Sequence, residues 1–98
     1  MNVNIQSLKF DADVKLLDFI RRKLNKLDTF YDRIIDGEVI LKLNNEGVNN
    51  KTVEVKVNVP GEQLFAAADA RTFEAATEEV VKTLKRQIRQ YKERLVAH

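Results

Sequence analysis

The sequence predicts an α+β two-layer sandwich with the element order β-α-β-β-β-α, in which two helices pack on one face of a four-stranded sheet. Two observations lead to this fold class. In two stretches apolar residues recur at helical spacings of three and four, and elsewhere they alternate with polar residues as in half-buried strands. The chain has 98 residues, of which 44% are hydrophobic, and this is enough to bury one core. We expect residues 1–98 to form a single domain.

The first strand and the first helix are predicted near the amino terminus. Val3 and Ile5 alternate with polar neighbours and indicate a short strand. Asp11 or Asp13 can then accept hydrogen bonds from the free N–H groups that begin a helix. We place this helix at about residues 13–30. Its apolar stripe consists of Leu17, Ile20, Leu24, Leu27 and Tyr31.

Three further strands are predicted in the middle of the chain. Val39, Leu41 and Leu43 alternate with Glu38, Ile40 and Lys42 and indicate a strand that starts near Arg33, and the Asn-rich residues 44–50 are typical of a loop. Four valines alternate with polar residues over residues 53–59 and indicate a half-buried strand. A Pro-Gly turn leads into a last strand at residues 63–70, where three consecutive alanines favour a helix lying close across the sheet.

The second helix is predicted over residues 72–95. One of its faces is apolar and consists of Phe73, Ala76, Val80, Leu84, Ile88, Tyr91 and Leu95. By their spacing Phe73, Tyr91 and Tyr31 are expected in the core, whereas Phe19 and Phe65 are expected on the surface. No aromatic strand platform for stacking single-stranded bases is apparent, so any RNA would be recognised through its folded backbone.

Composition excludes several classes of function. The chain has no cysteine and a single histidine, His98, which excludes disulfides, thiolate chemistry, a histidine triad and the usual zinc sites. Its three glycines stand apart, and the adjacent Glu78 and Glu79 point about 100° from each other on a helix. We therefore expect no enzyme, no cofactor and no small-molecule substrate, and a phosphatase-like activity is the weakest alternative. Apolar runs are too short for a membrane span and no signal peptide is evident, so a cytoplasmic protein is expected.

Charge is distributed unevenly along the chain. The net charge is only +2, but residues 71–98 carry seven bases against four acids, and residues 32–70 carry four bases against seven acids. Six bases and one acid, Glu93, fall within residues 82–94. Such asymmetry favours an anionic partner.

The bases fall on one side of each predicted helix. On the first helix Lys15, Arg22 and Lys26 lie within about 40° of one another, with Lys23 beside them and Phe19 on the same exposed side. On the second helix an arc of roughly 120° opposite the core face carries five bases. These are Lys82, Lys85, Arg86, Arg89 and Lys92.

Two explanations of these arcs stay open. If both helices lie on one side of the sheet, the arcs form one basic surface suited to the phosphates of a structured nucleic acid. Alternatively, the bases are a solvated helix face, because acids early and bases late in a helix favour its macrodipole, and Glu78 and Lys82 have the spacing of an ion pair. The density of bases favours the nucleic acid, since it leaves most of them without a partner.

Several strings of residues occur in a characteristic order. They are Lys-Leu-Asn-Lys-Leu at residues 23–27, Asp-Arg-Ile at 32–34, Val-Ile-Leu-Lys at 39–42, the alanine pair at 75–76 and the Gln-, Lys- and Arg-rich residues 84–95. In this order and spacing, over essentially the whole chain, the sequence resembles the ribosome hibernation promoting factor family, also called ribosome-associated inhibitor A or sigma-54 modulation proteins.

The resemblance implies a function and a site. It implies a fold similar to double-stranded RNA-binding domains and binding to the small ribosomal subunit, on 16S-type rRNA in the channel for mRNA and tRNA. Such a protein blocks translation by occlusion during stress or stationary phase. The rRNA-binding residues that the resemblance implies are Arg22, Lys23, Lys26, Lys82, Lys85, Arg86, Arg89 and Lys92.

Two departures and one alternative accompany the resemblance. Where the family usually has an Asp-Lys pair, this chain has Lys82 and Thr83. The sequence ends at His98, so we expect no carboxy-terminal dimerisation domain and a free monomer. The alternative is a protein-interaction module that modulates a transcription factor, as the sigma-54 name suggests, with an acidic partner bound at an exposed sheet edge.

Overall fold

Among the described residues, four strands and two helices make up the fold, in the predicted order. The computed structural model describes residues 1–44 and 47–96. The elements are β1 (Asn2–Ser7), α1 (Val14–Asn25), β2 (Asp36–Leu43), β3 (Lys51–Val59), β4 (Glu62–Ala70) and α2 (Phe73–Val96), with a short 3-10 turn (Lys26–Thr29) after α1. The strands are ordered β1-β2-β3-β4, with β1 parallel to β2 and the other pairs antiparallel. The predicted fold class is confirmed.

One face of the sheet forms the floor of the core. The register places Val39 beside Ile5 on one side and beside Val55 on the other, and Val55 beside Ala66, so an apolar row crosses all four strands. Because successive side chains of a strand point to opposite faces, the residues two positions away in each strand lie on this same face. The buried residues of β2, β3 and β4 on this face include Val39, Leu41, Val53, Val55, Val57, Val59, Leu64, Ala66 and Ala70.

Both helices pack against this face. From the first helix and the turn after it, Ile20, Leu24 and Leu27 are fully buried. The helix α2 lies across β3 and β4, where the small side chain of Ala66 allows close approach, as the alanine run predicted. The buried residues of α2 are Phe73, Ala76, Thr77, Val80, Val81, Leu84, Ile88 and Tyr91. No helix in the described ranges is long and apolar enough to cross a bilayer.

The first helix begins as predicted but ends differently. Asp13 caps it, with Oδ1 accepting a hydrogen bond from the Leu16 N–H at 2.8 Å. The α-helical part ends at Asn25, and the residues predicted to continue it form the 3-10 turn instead. The Thr29 hydroxyl donates to the Lys26 carbonyl at 2.6 Å, which stabilises the tighter turn.

The predicted start of β2 near Arg33 is wrong, because the strand begins at Asp36. Asp36 pairs with Asn58 of β3, so Ile34 would stand opposite Pro60 if the ladder continued. Proline has no N–H to donate, and β3 ends in a turn at this point, where Gly61 has φ of 79°. The predicted loop at residues 44–50 includes residues 45 and 46, which lie outside the described residues.

The two helices run side by side in the same direction. Phe10, before α1, stacks on Phe73 at the start of α2 with ring centroids 5.2 Å apart. Further along, Lys23 forms an ion pair with Glu78. Beyond the 3-10 turn, the rings of Tyr31 and Tyr91 pack edge to face with centroids 5.5 Å apart. The contacts therefore follow the same order along both segments. This arrangement leaves a groove between α1 with its 3-10 turn and α2, on the side away from the sheet.

Candidate nucleic-acid interface

The groove between the two helices is lined by basic side chains. It consists of two cavities of 430 and 580 Å³, which adjoin each other at Lys82 and Lys85, residues that line both of them. Lys23 and Lys26 form the α1 wall of the smaller cavity. We call this feature the basic groove and define it by its cations Lys23, Lys26, Lys82, Lys85, Arg86, Arg89 and Lys92.

The basic groove contains seven of the eight bases singled out in the sequence. The exception is Arg22, which is exposed and places its guanidinium 5.6 Å from the centre of the Phe19 ring instead of lining either cavity. The Phe19 ring itself is half-buried and packs against the edge of the core, so the expectation that it lies exposed is wrong. The face of α1 that lies beside α2 carries Lys23 and not Arg22.

Charge is concentrated in the basic groove beyond the average of the chain. Seven bases and three acids (Glu78, Glu79 and Glu93) line it, which gives a local charge of +4 against +2 for the whole protein. Among residues 1–44 and 47–96, Lys23 is the one groove cation with a carboxylate within 4 Å, namely Glu78 at 3.4 Å. Mutual repulsion of the other cations raises the free energy of the empty groove, and a bound polyanion would relieve it.

Two ionic contacts differ from the sequence-based interpretation. The spacing of Glu78 and Lys82 predicts an ion pair within α2, but Glu78 reaches across the groove to Lys23. Arg94, the last base of residues 82–94, turns away from the groove. Its guanidinium donates to both carboxylate oxygens of Glu62 on β4, at 2.7 and 2.8 Å. Of the six bases in residues 82–94, five therefore line the groove, and the sixth, Arg94, attaches α2 to the sheet.

Phe30 is a groove residue that the sequence analysis missed. It follows the 3-10 turn, lines the larger cavity and is 45% exposed as a residue. The Lys85 ammonium lies 5.0 Å from the centre of its ring, and the Lys92 ammonium donates to its carbonyl oxygen at 2.8 Å. The signal in the sequence was an aromatic residue next to Tyr31 but off the apolar stripe of the helix.

Comparison with known proteins shows the family to which the chain belongs. A family model described as "Sigma 54 modulation protein / S30EA ribosomal protein" matches residues 3–96. The chain belongs to this family. The resemblance noted from the sequence is thereby confirmed.

Individual relatives of this S30EA-family chain match all or nearly all of its length. It is 30% identical over 98 residues to the ribosome hibernation promoting factor of Escherichia coli (strain K12), with 100% of both chains covered. It is also 30% identical over 94 residues to the ribosome hibernation promoting factor of Pseudomonas putida, covering 96% of this chain and 89% of the relative.

Two solved structures have the same fold. A ribosomal subunit interface protein from Coxiella burnetii superposes with a TM-score of 0.85 at 22% identity, covering 94% of this chain and 98% of that one. The N-terminal domain of Thermus thermophilus Protein Y gives a TM-score of 0.82 at 22% identity, covering 93% and 99%.

In this S30EA-family chain two of the strings that carry the resemblance contribute residues to the walls of the basic groove. Residues 23–27, which lie where α1 passes into the 3-10 turn, contribute Lys23 and Lys26, and residues 84–95 of α2 line most of the larger cavity. Below the groove, Tyr91 is buried and its hydroxyl donates to the Pro60 carbonyl at 2.6 Å. Burial raises the pKa of Tyr91 above its ordinary value, because the phenolate is poorly solvated there.

Proposed function

We propose that this protein is a ribosome hibernation factor. It binds small-subunit 16S-type rRNA in the channel for mRNA and tRNA and keeps the ribosome inactive during stress or stationary phase. The observation that carries this proposal is the match of the whole chain to relatives named ribosome hibernation promoting factor. The +4 charge of the basic groove supports it, since an RNA backbone is the complementary surface. Inhibition is by occlusion, and a cytoplasmic location follows from the partner.

The proposed RNA-binding residues act from two helices at once. They are Arg22, Lys23, Lys26, Lys82, Lys85, Arg86, Arg89 and Lys92. Cations on two neighbouring helices contact phosphates that are close in space but not successive along one strand, which suits folded RNA. Residues 1–98 act as one binding domain, and the free protein is a monomer.

Co-sedimentation with purified ribosomes at low and high salt tests the proposal. Six to eight phosphate contacts predict a slope of log K against log salt of roughly −4 to −7, so affinity falls steeply with added salt. Co-migration with the small subunit at low salt, lost at high salt, is the expected result. Absence of co-migration even at low salt would overturn the proposal and leave the cations as a solvated helix face.

Two arginines of α2 provide a matched pair of variants. Arg89→Gln removes a groove cation, so we expect a loss of about five- to eightfold in affinity near 0.1 M salt and a slope that is shallower by about 0.7–0.9. Arg94→Gln removes the same charge from the same helix, but this side chain contacts Glu62 on β4. It should leave ribosome binding unchanged. Equal effects of the two substitutions would show that net charge, and not the groove, controls binding.

The alternative function is a protein-interaction module that modulates a transcription factor. The relatives named ribosome hibernation promoting factor do not favour it. A pull-down from lysate treated with RNase distinguishes the two, because a ribosomal partner held by rRNA is lost, whereas a directly bound protein is retained.

A further inference from the structure

We propose that Phe30 and the larger cavity of the basic groove form a subsite for an unpaired nucleobase. This inference rests on the proposed function and adds a second element of recognition to it. The phosphate-binding cations and an exposed aromatic ring line the same cavity, so a single nucleotide can place its phosphate on the cations and its base against the ring. The proposal adds base stacking to the backbone recognition that the sequence predicts.

The cavity has the size and lining of a small-ligand site. Its volume is 580 Å³, within the range of about 300–1,000 Å³ that is usual for such sites. Phe30, Ile88 and Val96 line it together with the aliphatic stems of five lysines and arginines. The walls are therefore mostly apolar although the side chains end in charges. A ligand with a flat apolar part and an anionic part fits both features.

The backbone at Phe30 is held in place, and the Lys85 ammonium over the Phe30 ring can be displaced. Lys92 donates to the Phe30 carbonyl oxygen at 2.8 Å, which attaches the backbone after the 3-10 turn to α2. Lys85 covers the ring by a cation–π contact at 5.0 Å from the ring centre. A nucleobase can take the place of this ammonium on the ring, and Lys85 then becomes free to contact a phosphate. The ring therefore needs no rearrangement of the backbone to accept a base.

Charge selects a nucleotide over a purely apolar partner. Five bases and one acid, Glu93, line this cavity, so an apolar peptide or a lipid tail would leave the cations without compensation. Every nucleobase has a flat π-face, and stacking on aromatic side chains is a common way of binding unpaired bases in RNA.

A second exposed phenylalanine supplies the control for a binding experiment. Phe65 is 48% exposed, close to the value for Phe30, but it lies on β4 on the sheet face away from the helices. We expect Phe30→Ala to weaken binding to purified ribosomes by about 5- to 150-fold, the range for loss of one stacked base. Phe30→Leu, which keeps apolar bulk but cannot stack, should bind as weakly as Phe30→Ala. Phe30→Tyr, which can still stack, should bind like the wild type. Phe65→Ala should have no effect on binding.

Salt dependence separates stacking from electrostatics. Because Phe30 neutralises no phosphate, Phe30→Ala should shift the plot of log K against log salt in parallel. Lys85→Gln should reduce the slope of that plot by about 0.7–0.9. Thermal unfolding of each variant serves as the folding check, and only variants with the wild-type transition are compared. Wild-type affinity of Phe30→Leu, or a changed slope for Phe30→Ala, would overturn the subsite.

Photo-crosslinking identifies what contacts the ring. A photoreactive phenylalanine analogue at position 30 should crosslink to rRNA in the purified complex, and a crosslink to a ribosomal protein instead would overturn the proposal. These outcomes are distinct from failure of the proposed function. If the wild-type protein does not co-sediment with ribosomes, the function fails. If it does so and the Phe30 variants bind equally well, only the nucleobase subsite fails.

Discussion

The ion pair that crosses the basic groove leads to an unusual prediction, a single substitution that strengthens ribosome binding. Glu78 on α2 lies 3.4 Å from the Lys23 ammonium, and both side chains line the smaller cavity. In the free protein the carboxylate neutralises a cation that would otherwise contact a phosphate. Glu78→Gln removes the negative charge, keeps the size of the side chain and releases Lys23. We therefore expect tighter binding to ribosomes.

The size of the effect follows from counterion release. One more neutralised phosphate steepens the slope of log K against log salt by about 0.7–0.9, which corresponds to about a five- to eightfold gain in affinity near 0.1 M salt. The cost to the fold is small, because the two side chains are 26% and 59% exposed and such pairs contribute only about 0.2–1 kcal/mol.

Quantitative co-sedimentation at several salt concentrations measures both the affinity and the slope. Glu38→Gln is the matched control, because it removes one carboxylate from β2 on the opposite face of the sheet and gives the same net charge. It should leave the slope unchanged. A weaker affinity for Glu78→Gln would refute the reasoning, since it would mean that Glu78 orients Lys23 for the RNA. Equal gains for both variants would mean that the effect is one of net charge.

The remaining predictions concern the core below the groove. Leu84→Ala removes a fully buried side chain between α2 and the sheet, so we expect a loss of about 2–5 kcal/mol in urea unfolding. A loss below about 1 kcal/mol would contradict the packing described. Burial and the neighbouring Tyr31 raise the pKa of Tyr91, so a spectroscopic titration should show a late tyrosinate step that disappears in Tyr91→Phe. The folded state keeps the Tyr91 proton to higher pH than the unfolded chain does. The contribution of neutral Tyr91 to folding stability is therefore fully present below its ordinary pKa of 10.0 and is lost as the pH rises through its pKa in the folded protein.

The order of helices and strands was predictable because its signals are local. The four valines of residues 53–59 alternate with polar residues, and Asp13 stands just before the first turn of α1. Each signal acts within one strand or one helical turn. The five groove cations of α2 fell on one predicted arc for the same reason, since their relative directions depend only on the rotation of about 100° per residue.

The ends of elements depended on more distant partners. The apolar residues before β2, Ile34 and Ile35, favoured a start near Arg33, and the local pattern does not show that the ladder begins only at Asp36. At that point β1 begins, with Asn2 beside Asp36, and on the other side β3 runs into the turn with Pro60, which has no N–H to donate. Likewise, the apolar stripe of α1 continues through Leu27 although the backbone changes to a 3-10 turn.

The tertiary structure decided which side chains face one another. Spacing within α2 paired Glu78 with Lys82, yet the carboxylate contacts Lys23 on the other helix. Arg94 belongs to the basic run by sequence, but it binds the sheet, and Phe30 reaches the groove only because the 3-10 turn lies beside α2. The sequence by itself determined the elements and their charged faces, because both depend on the period within one element. The groove depends on how two distant elements pack side by side on the sheet, and no local period specifies that.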